Sequence, residues 1–322
     1  MSLSGFKKKI SPLYTIIIII AIVITAVLSS NCRFSTAENV QDDHIVIASI
    51  LPLAGFAEKV GGGKINVFEM VPPGASPHTY EPTPGQLEKV SNAGIYLSVG
   101  SGIEFELVWL DKIVAINDEM MLVDCSRGIE LIEAFGTFND QNSDHDDKGV
   151  YNEIEDDHNG SGADPHIWLS PINASAIVEN IYLSLSEAYP ENEGIFYDNK
   201  VDFQNDLEML DRRIREILKG KIQRKIIVFH PGWSYFAREY GLEQIVIEKE
   251  GKEPSPREMV SIIESAKDSD IKIIFASPEF SPKSAEVIAD EIGGNVVFIS
   301  PLARDYIENL IKITEAFKES ME

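Results

Sequence analysis

Apolar residues along this 322-residue chain keep changing rhythm, and the changes outline a fold. Short, nearly unbroken apolar runs at Ile45 to Ile50, Ile65 to Met70, Ile95 to Val99, Lys225 to Phe229, Gln244 to Ile247, Ile271 to Phe275 and Val296 to Ile299 read as buried strands. Helical stretches fall between or after them: Leu53 to Val60, closed by Gly61-Gly62-Gly63, then Thr83 to Ala93, Trp233 to Tyr240, Pro256 to Ser269, Pro282 to Ile292 and Ile307 to Lys318. Thr83 followed three residues later by Gln86 is the signature of a capping box. Strands that alternate with helices predict an α/β fold with mostly parallel sheets. Midway, Asn173 to Lys219 is helical throughout apart from a break around Pro190 to Gly194, and Phe203, Leu207, Leu210, Ile214 and Leu218 share one face. A helix of about 25 residues reaches nearly 40 Å, enough to join two α/β halves as one rigid element.

Two segments depart from this pattern. Lys7, Lys8 and Lys9 precede an apolar run from Leu13 to Leu28 with five consecutive isoleucines. Its roughly 24 Å of helix is short for a bilayer core and suits a signal peptide. Leu-Ser-Ser-Asn-Cys32 resembles a lipoprotein processing site, although Asn31 stands where a small residue is expected and Leu28 lies one position too far upstream. Residues 1–32 are therefore expected to be a signal peptide or a membrane anchor, with Cys32 lipidated or residues 13–28 retained. Residues 33–43 form a tether, and the remainder lies outside the cytoplasmic membrane, held to it. The second departure, 139–162, carries ten acidic or histidine residues, among them His145 and His158, with almost no apolar ones. Such composition predicts a solvated loop that gathers metal ions weakly. The expected organisation is an N-terminal α/β lobe at 44–172 containing that loop, a helical connection at 173–220 and a C-terminal α/β lobe at 221–322.

Composition adds constraints. Removing residues 1–32 removes three lysines and no acid, which takes the formal charge from −24 to −27. A surface of that sign repels nucleic acid and draws cations. With only Cys32 and Cys125 in the chain, stability must come from burial rather than from disulfides.

The candidate chemistry lies in three of the six histidines. They occur in Pro-His78-Thr-Tyr-Glu-Pro-Thr-Pro, Asp-Pro-His166-Ile-Trp-Leu-Ser-Pro and Phe-His230-Pro-Gly-Trp-Ser-Tyr-Phe. Three neutral imidazoles are a usual nitrogen set for Zn²⁺, and spacings of 88 and 64 residues exclude a local finger. His78 lies in a Pro-rich loop after a strand, His230 directly follows one, and open α/β sheets bind ligands at the carboxyl ends of their strands.

These strings, with Gly251-Lys-Glu-Pro-Ser-Pro256 and Pro301-Leu302-Ala303, resemble the metal-specific solute-binding proteins of ABC transporters. The resemblance runs from about Ile45 to Phe317. It implies two Rossmann-like (β/α) lobes joined by a single long rigid linker helix, with the metal in the interlobe cleft on His78, His166 and His230. It also implies an extracytoplasmic monomer that delivers zinc to a permease and its ATPase. Relatives that favour Mn²⁺ tend to carry Glu in place of the third His and add a carboxylate from the C-terminal lobe. Here His230 is kept and Ser300 stands where an Asp is common, so Zn²⁺ is expected, with Mn²⁺ the alternative. The fourth position is left to Glu81, Glu279, Asp305 or water. A zinc-dependent hydrolase would need a general base, and no His-Glu-x-x-His motif is present. An adhesin-like surface protein holding a structural metal is a further alternative. No catalysis is expected.

Overall fold

The computed structural model describes residues 44–133, 162–248, 252–279 and 283–321. The leader, the tether, Cys32 and the acidic loop with His145 and His158 lie outside the described residues, which all fall within one compact unit, Val40–Glu322. Among the described residues no helix is long and apolar enough to cross a membrane.

The apolar runs form two parallel four-stranded sheets. In the first, β1 (Ile45–Ala48), β2 (Asn66–Glu69), β3 (Ile95–Ser98) and β4 (Met121–Asp124) lie in the order β2-β1-β3-β4. Ile45 pairs with Asn66, Val46 with Ile95, and Ile95 with Met121. In the second, β5 (Lys225–Val228), β6 (Glu243–Val246), β7 (Ile273–Ala276) and β8 (Asn295–Phe298) repeat that order as β6-β5-β7-β8. Central strands β1 and β5 are apolar because helices cover both of their faces. In each sheet the chain reverses direction of growth beside the first strand, which opens a crevice at the carboxyl ends.

The helices are α1 (Leu51–Gly61), α2 (Pro84–Val90), α3 (Glu104–Val114), α4 (Pro171–Ala188), α5 (Glu193–Ile217), α6 (Ser234–Tyr240), α7 (Pro256–Asp268), α8 (Lys283–Ile292) and α9 (Tyr306–Ser320). α2 begins with the expected box: Thr83 accepts from Gln86 N, and the Gln86 side chain accepts from Thr83 N. α4 starts two residues earlier than its periodicity suggests, because Ser170 caps it through Asn173 N and Pro171 takes the first turn. α5 is the long helix. Phe196, Lys200, Phe203, Leu207, Leu210, Ile214 and Ile217 form its buried stripe, spaced by three or four residues.

α4 and α5 pack side by side and both lie against α1, so the helical connection is built into the N-terminal lobe. α9, the last helix, packs on α5 and places Tyr306 edge-on to Phe56 of α1, with ring centroids 4.9 Å apart. One core therefore contains residues from both lobes and from both ends of the folded chain. A second, smaller core of Ile227, Ile247, Ile274 and Ile288 fills the outer side of the C-terminal sheet. At the seam, Gly55 of α1 sits so close to the Arg304 carbonyl that a side chain there would collide with it. The Arg304 guanidinium reaches back to Glu58 and Glu69.

Candidate metal centre

Each of the three histidine strings ends in the same crevice. β2 leads into the loop carrying His78, β5 is followed at once by Phe229 and His230, and His166 sits just before the buried turn Ile167–Leu169. That turn is fixed across the seam: Trp168 Nε1 donates to Pro301 O at 2.9 Å, and Tyr306 Oη donates to Trp168 O at 2.7 Å. Tyr235 of the C-terminal lobe accepts from Ile132 N at 3.1 Å and donates to Asp164 O at 2.9 Å. The loop of His166 is thus held by both lobes.

One ring nitrogen from each of His78, His166 and His230 lies within 4.8 Å of the other two. The Nε2 atoms of His166 and His230 are 3.3 Å apart. Each ring meets a carboxylate at its other nitrogen. Nδ1 of His78 is 2.7 Å from Glu104 Oε2, Nδ1 of His166 is 2.7 Å from Asp164 Oδ1, and Nδ1 of His230 is 3.4 Å from Glu248 Oε2. A carboxylate at Nδ1 favours a proton there and leaves Nε2 as a bare lone pair. Two such lone pairs facing each other at 3.3 Å repel unless a cation lies between them. Nitrogens at about 2.0–2.1 Å from a tetrahedral Zn²⁺ stand about 3.3–3.4 Å apart, which is the spacing found here.

Electrostatics agree with a cation site. Burial pushes the His230 imidazolium down, and the neighbouring His166 and His78 push the same way against the opposing pull of Glu248, which favours the neutral ring. Burial alone would raise Glu104 and Asp164, yet hydrogen bonds and charge from His78 and His166 hold both carboxyls below their ordinary range. The pocket is walled by Trp168, Pro301 and Leu302, and Glu279 enters it beside the three rings.

Of the fourth-position candidates, only Glu279 lines this pocket; its Oε1 accepts from Ser300 Oγ at 2.7 Å and its Oε2 from Ser277 Oγ. Glu81 is exposed. Asp305 caps α9 by accepting from Glu308 N and lines a separate depression with Gly55 and Phe203. His145 and His158 lie outside the described residues.

Sequence reasoning did not find Glu104, Glu248 or Gly232. Glu248 had a local signal, being the first charged residue past the apolar run of β6. Glu104 had none, since its contact spans 26 positions and follows no helical or strand spacing. Gly232 matters by what it lacks: a Cβ there would stand 3.3 Å from both Cδ2 and Nε2 of His166.

Comparison with known proteins places this geometry in context. Residues 46–320 match the family model described as ZnuA, zinc-uptake complex component A, periplasmic. A crystal structure of ZnuA is 38% identical, with TM-score 0.77, covering 87% of this chain and 100% of that one. A putative metal-binding protein of Chlamydia muridarum is 26% identical over 92% of this chain and 99% of its own length. The zinc-binding protein AdcA of Streptococcus pyogenes is 28% identical over 80% of this chain, which spans half the length of that relative. The laminin-binding protein of Streptococcus agalactiae, 23% identical with TM-score 0.72 over 87% of this chain and 100% of its own, shares the fold.

Proposed function

The chain belongs to the ZnuA family of periplasmic zinc-uptake components, and we propose that it captures one Zn²⁺ on His78, His166 and His230 and hands it to an ABC permease for import. The observation that carries this reading is the convergence of three imidazoles, one ring nitrogen from each within 4.8 Å of the other two, with the Nε2 atoms of His166 and His230 3.3 Å apart. Imidazole nitrogen donors suit Zn²⁺, whereas Mn²⁺ prefers carboxylate oxygen, and among the described residues the cluster consists of three histidines. A structure of a ZnuA deletion mutant, 38% identical, carries bound zinc, and AdcA of two streptococcal species is named for zinc. Glu279, which lines the same pocket, supports a carboxylate in the fourth position, with water as the other occupant.

The family is one of transport receptors, and the site suits delivery better than hydrolysis. A catalytic zinc needs a general base free to activate water. Here Glu104, Asp164 and Glu248 are each committed to an imidazole, and Glu279 to two serine hydroxyls. We place the protein outside the cytoplasm as a monomer, held to the membrane through the apolar run at 13–28 or a lipid on Cys32. The acidic segment, whose described flanks meet as a Glu133–Ala163 bridge, would collect metal ions through His145 and His158.

Calorimetry on the mature protein tests the reading. One tight Zn²⁺ should bind, displace Mn²⁺ in competition, and weaken by tenfold or more in each of His78→Ala, His166→Ala and His230→Ala. Removing 139–162 should leave that tight site and reduce only weak binding. Unchanged affinity in His230→Ala would overturn the assignment.

A further inference from the structure

The three imidazole–carboxylate pairs are unequal, and resting on the zinc reading above, we propose that Glu104 is a positioning residue that sets how fast Zn²⁺ leaves, by holding His78 as the exchanging ligand. The inequality is one of access. Side chains of Asp164 and His166 are 2% and 5% exposed, and those of Glu248 and His230 6% and 13%. Glu104 and His78 are 48% and 18% exposed. His166 is therefore enclosed together with its acid, Glu248 is enclosed beside a partly open His230, and the third pair combines a half-exposed acid with the most open of the three rings.

Local support differs in the same sense. His166 is held by a buried aspartate two residues away that also accepts from the His166 backbone N, within a turn tied to both lobes. His230 continues directly from a central strand, where Phe229 N donates to Phe275 O at 2.7 Å. His78 lies within a loop containing Pro72, Pro73, Gly74 and Pro77, and the acid at its Nδ1 comes from another element, the first residue of α3. A ligand whose Nδ1 partner is a half-exposed carboxylate is the one that opens first. A ring that has lost its Nδ1 partner can turn its Nε2 away while the other two imidazoles stay in place. Encounter with Zn²⁺ depends on the charge of the whole surface, so the effect falls on release rather than capture.

The experiment loads the mature protein with Zn²⁺ and follows release to excess chelator by stopped flow. Glu104→Ala should release about tenfold faster, with the association rate changed less than twofold. Glu104→Gln keeps a carbonyl oxygen that can accept from Nδ1–H and should release at nearly the native rate. Both variants lose the negative charge at the start of α3, so a purely structural role through the helix dipole would make them alike. Nitrogen NMR should show His78 protonated at Nδ1 in the wild type and in Glu104→Gln, and a mixture of tautomers in Glu104→Ala. If Glu104→Ala does not fold, Glu104→Asp, with its carboxylate drawn back, is compared with Glu104→Gln and should release faster. Equal release from wild type and Glu104→Ala, or from Glu104→Gln and Glu104→Ala, overturns the proposal. A wild-type protein that takes up no Zn²⁺ instead overturns the zinc reading.

Discussion

Replacing Gly232 by Ala tests the geometry of the site without touching a ligand. The new Cβ would stand 3.3 Å from Cδ2 and Nε2 of His166 and 3.5 Å from Cγ. Carbon contacts are most favourable at about 3.5–4.0 Å, so the ring must retreat by a few tenths of an ångström. It has little freedom to do so, because Nδ1 is tied to Asp164 at 2.7 Å and Trp168 lies alongside with ring centroids 5.2 Å apart. Metal–ligand distances tolerate errors of only about 0.2 Å. The displacement therefore falls on the nitrogen that faces His230, and zinc affinity should drop about tenfold, equivalent to about 1.4 kcal/mol. Gly232 is not among the residues with positive φ, so alanine adds no backbone strain, and the metal-free protein should melt within a few degrees of wild type. Competition against a fluorescent zinc chelator measures the first quantity and circular dichroism the second. A folded Gly232→Ala protein with native affinity would show that His166 has room to move and that its position does not limit binding.

Three further outcomes are expected. Glu106, buried at the start of α3, accepts from Val99 N at 2.6 Å and Gly100 N at 3.0 Å; Glu106→Gln presents an NH₂ to one of these donors and should cost about 1–3 kcal/mol in urea denaturation. Burial raises the Glu106 carboxyl above its ordinary value, so its contribution is fully present below the unfolded value of about 4.3 and is lost as pH rises through the folded value; the stability gap between wild type and Glu106→Gln should narrow over that window, and a gap that widens with pH contradicts the assignment. Arg304→Ala removes partly exposed pairs with Glu58 and Glu69, so it should destabilise by no more than about 1 kcal/mol, with the difference shrinking at high salt; a loss several times larger would show that these pairs hold the seam. Because α5 is one continuous helix packed along the N-terminal lobe, X-ray scattering should show the radius of gyration, about 19 Å for a compact chain of this size, changing by less than about 1 Å on zinc loading.

The sequence made the strands, the long helix and the convergence of three histidines at strand ends readable, because each has a local signature: apolar runs, a stripe at three- and four-residue intervals, and imidazoles just beyond a strand. α3 and β4 had no such signature. α3 leaves Leu107 and Val108 more than half exposed, which blurs its stripe, and β4 is an edge strand that exposes Leu122 and buries only Val123 well. The start of α4 depended on a cap, which periodicity does not report. The carboxylates on the histidines were hidden for another reason. A bond between Glu104 and His78 exists only once β2 and β3 have both paired with β1, and no spacing along the chain encodes it.

The shared core has a consequence for how the chain is made. Leu310, Phe317 and Met321, within a dozen residues of one another at the end, are packed in the same core as Val46 and Phe56 near the beginning of the folded region. The N-terminal lobe emerges first but cannot close its interior until α9 arrives, some 250 residues after Phe56. Until then its apolar surfaces stay open to water and to other chains. In a chain carried across a membrane before folding, such a delay would keep the segment loose in passage and leave closure of the core to the far side.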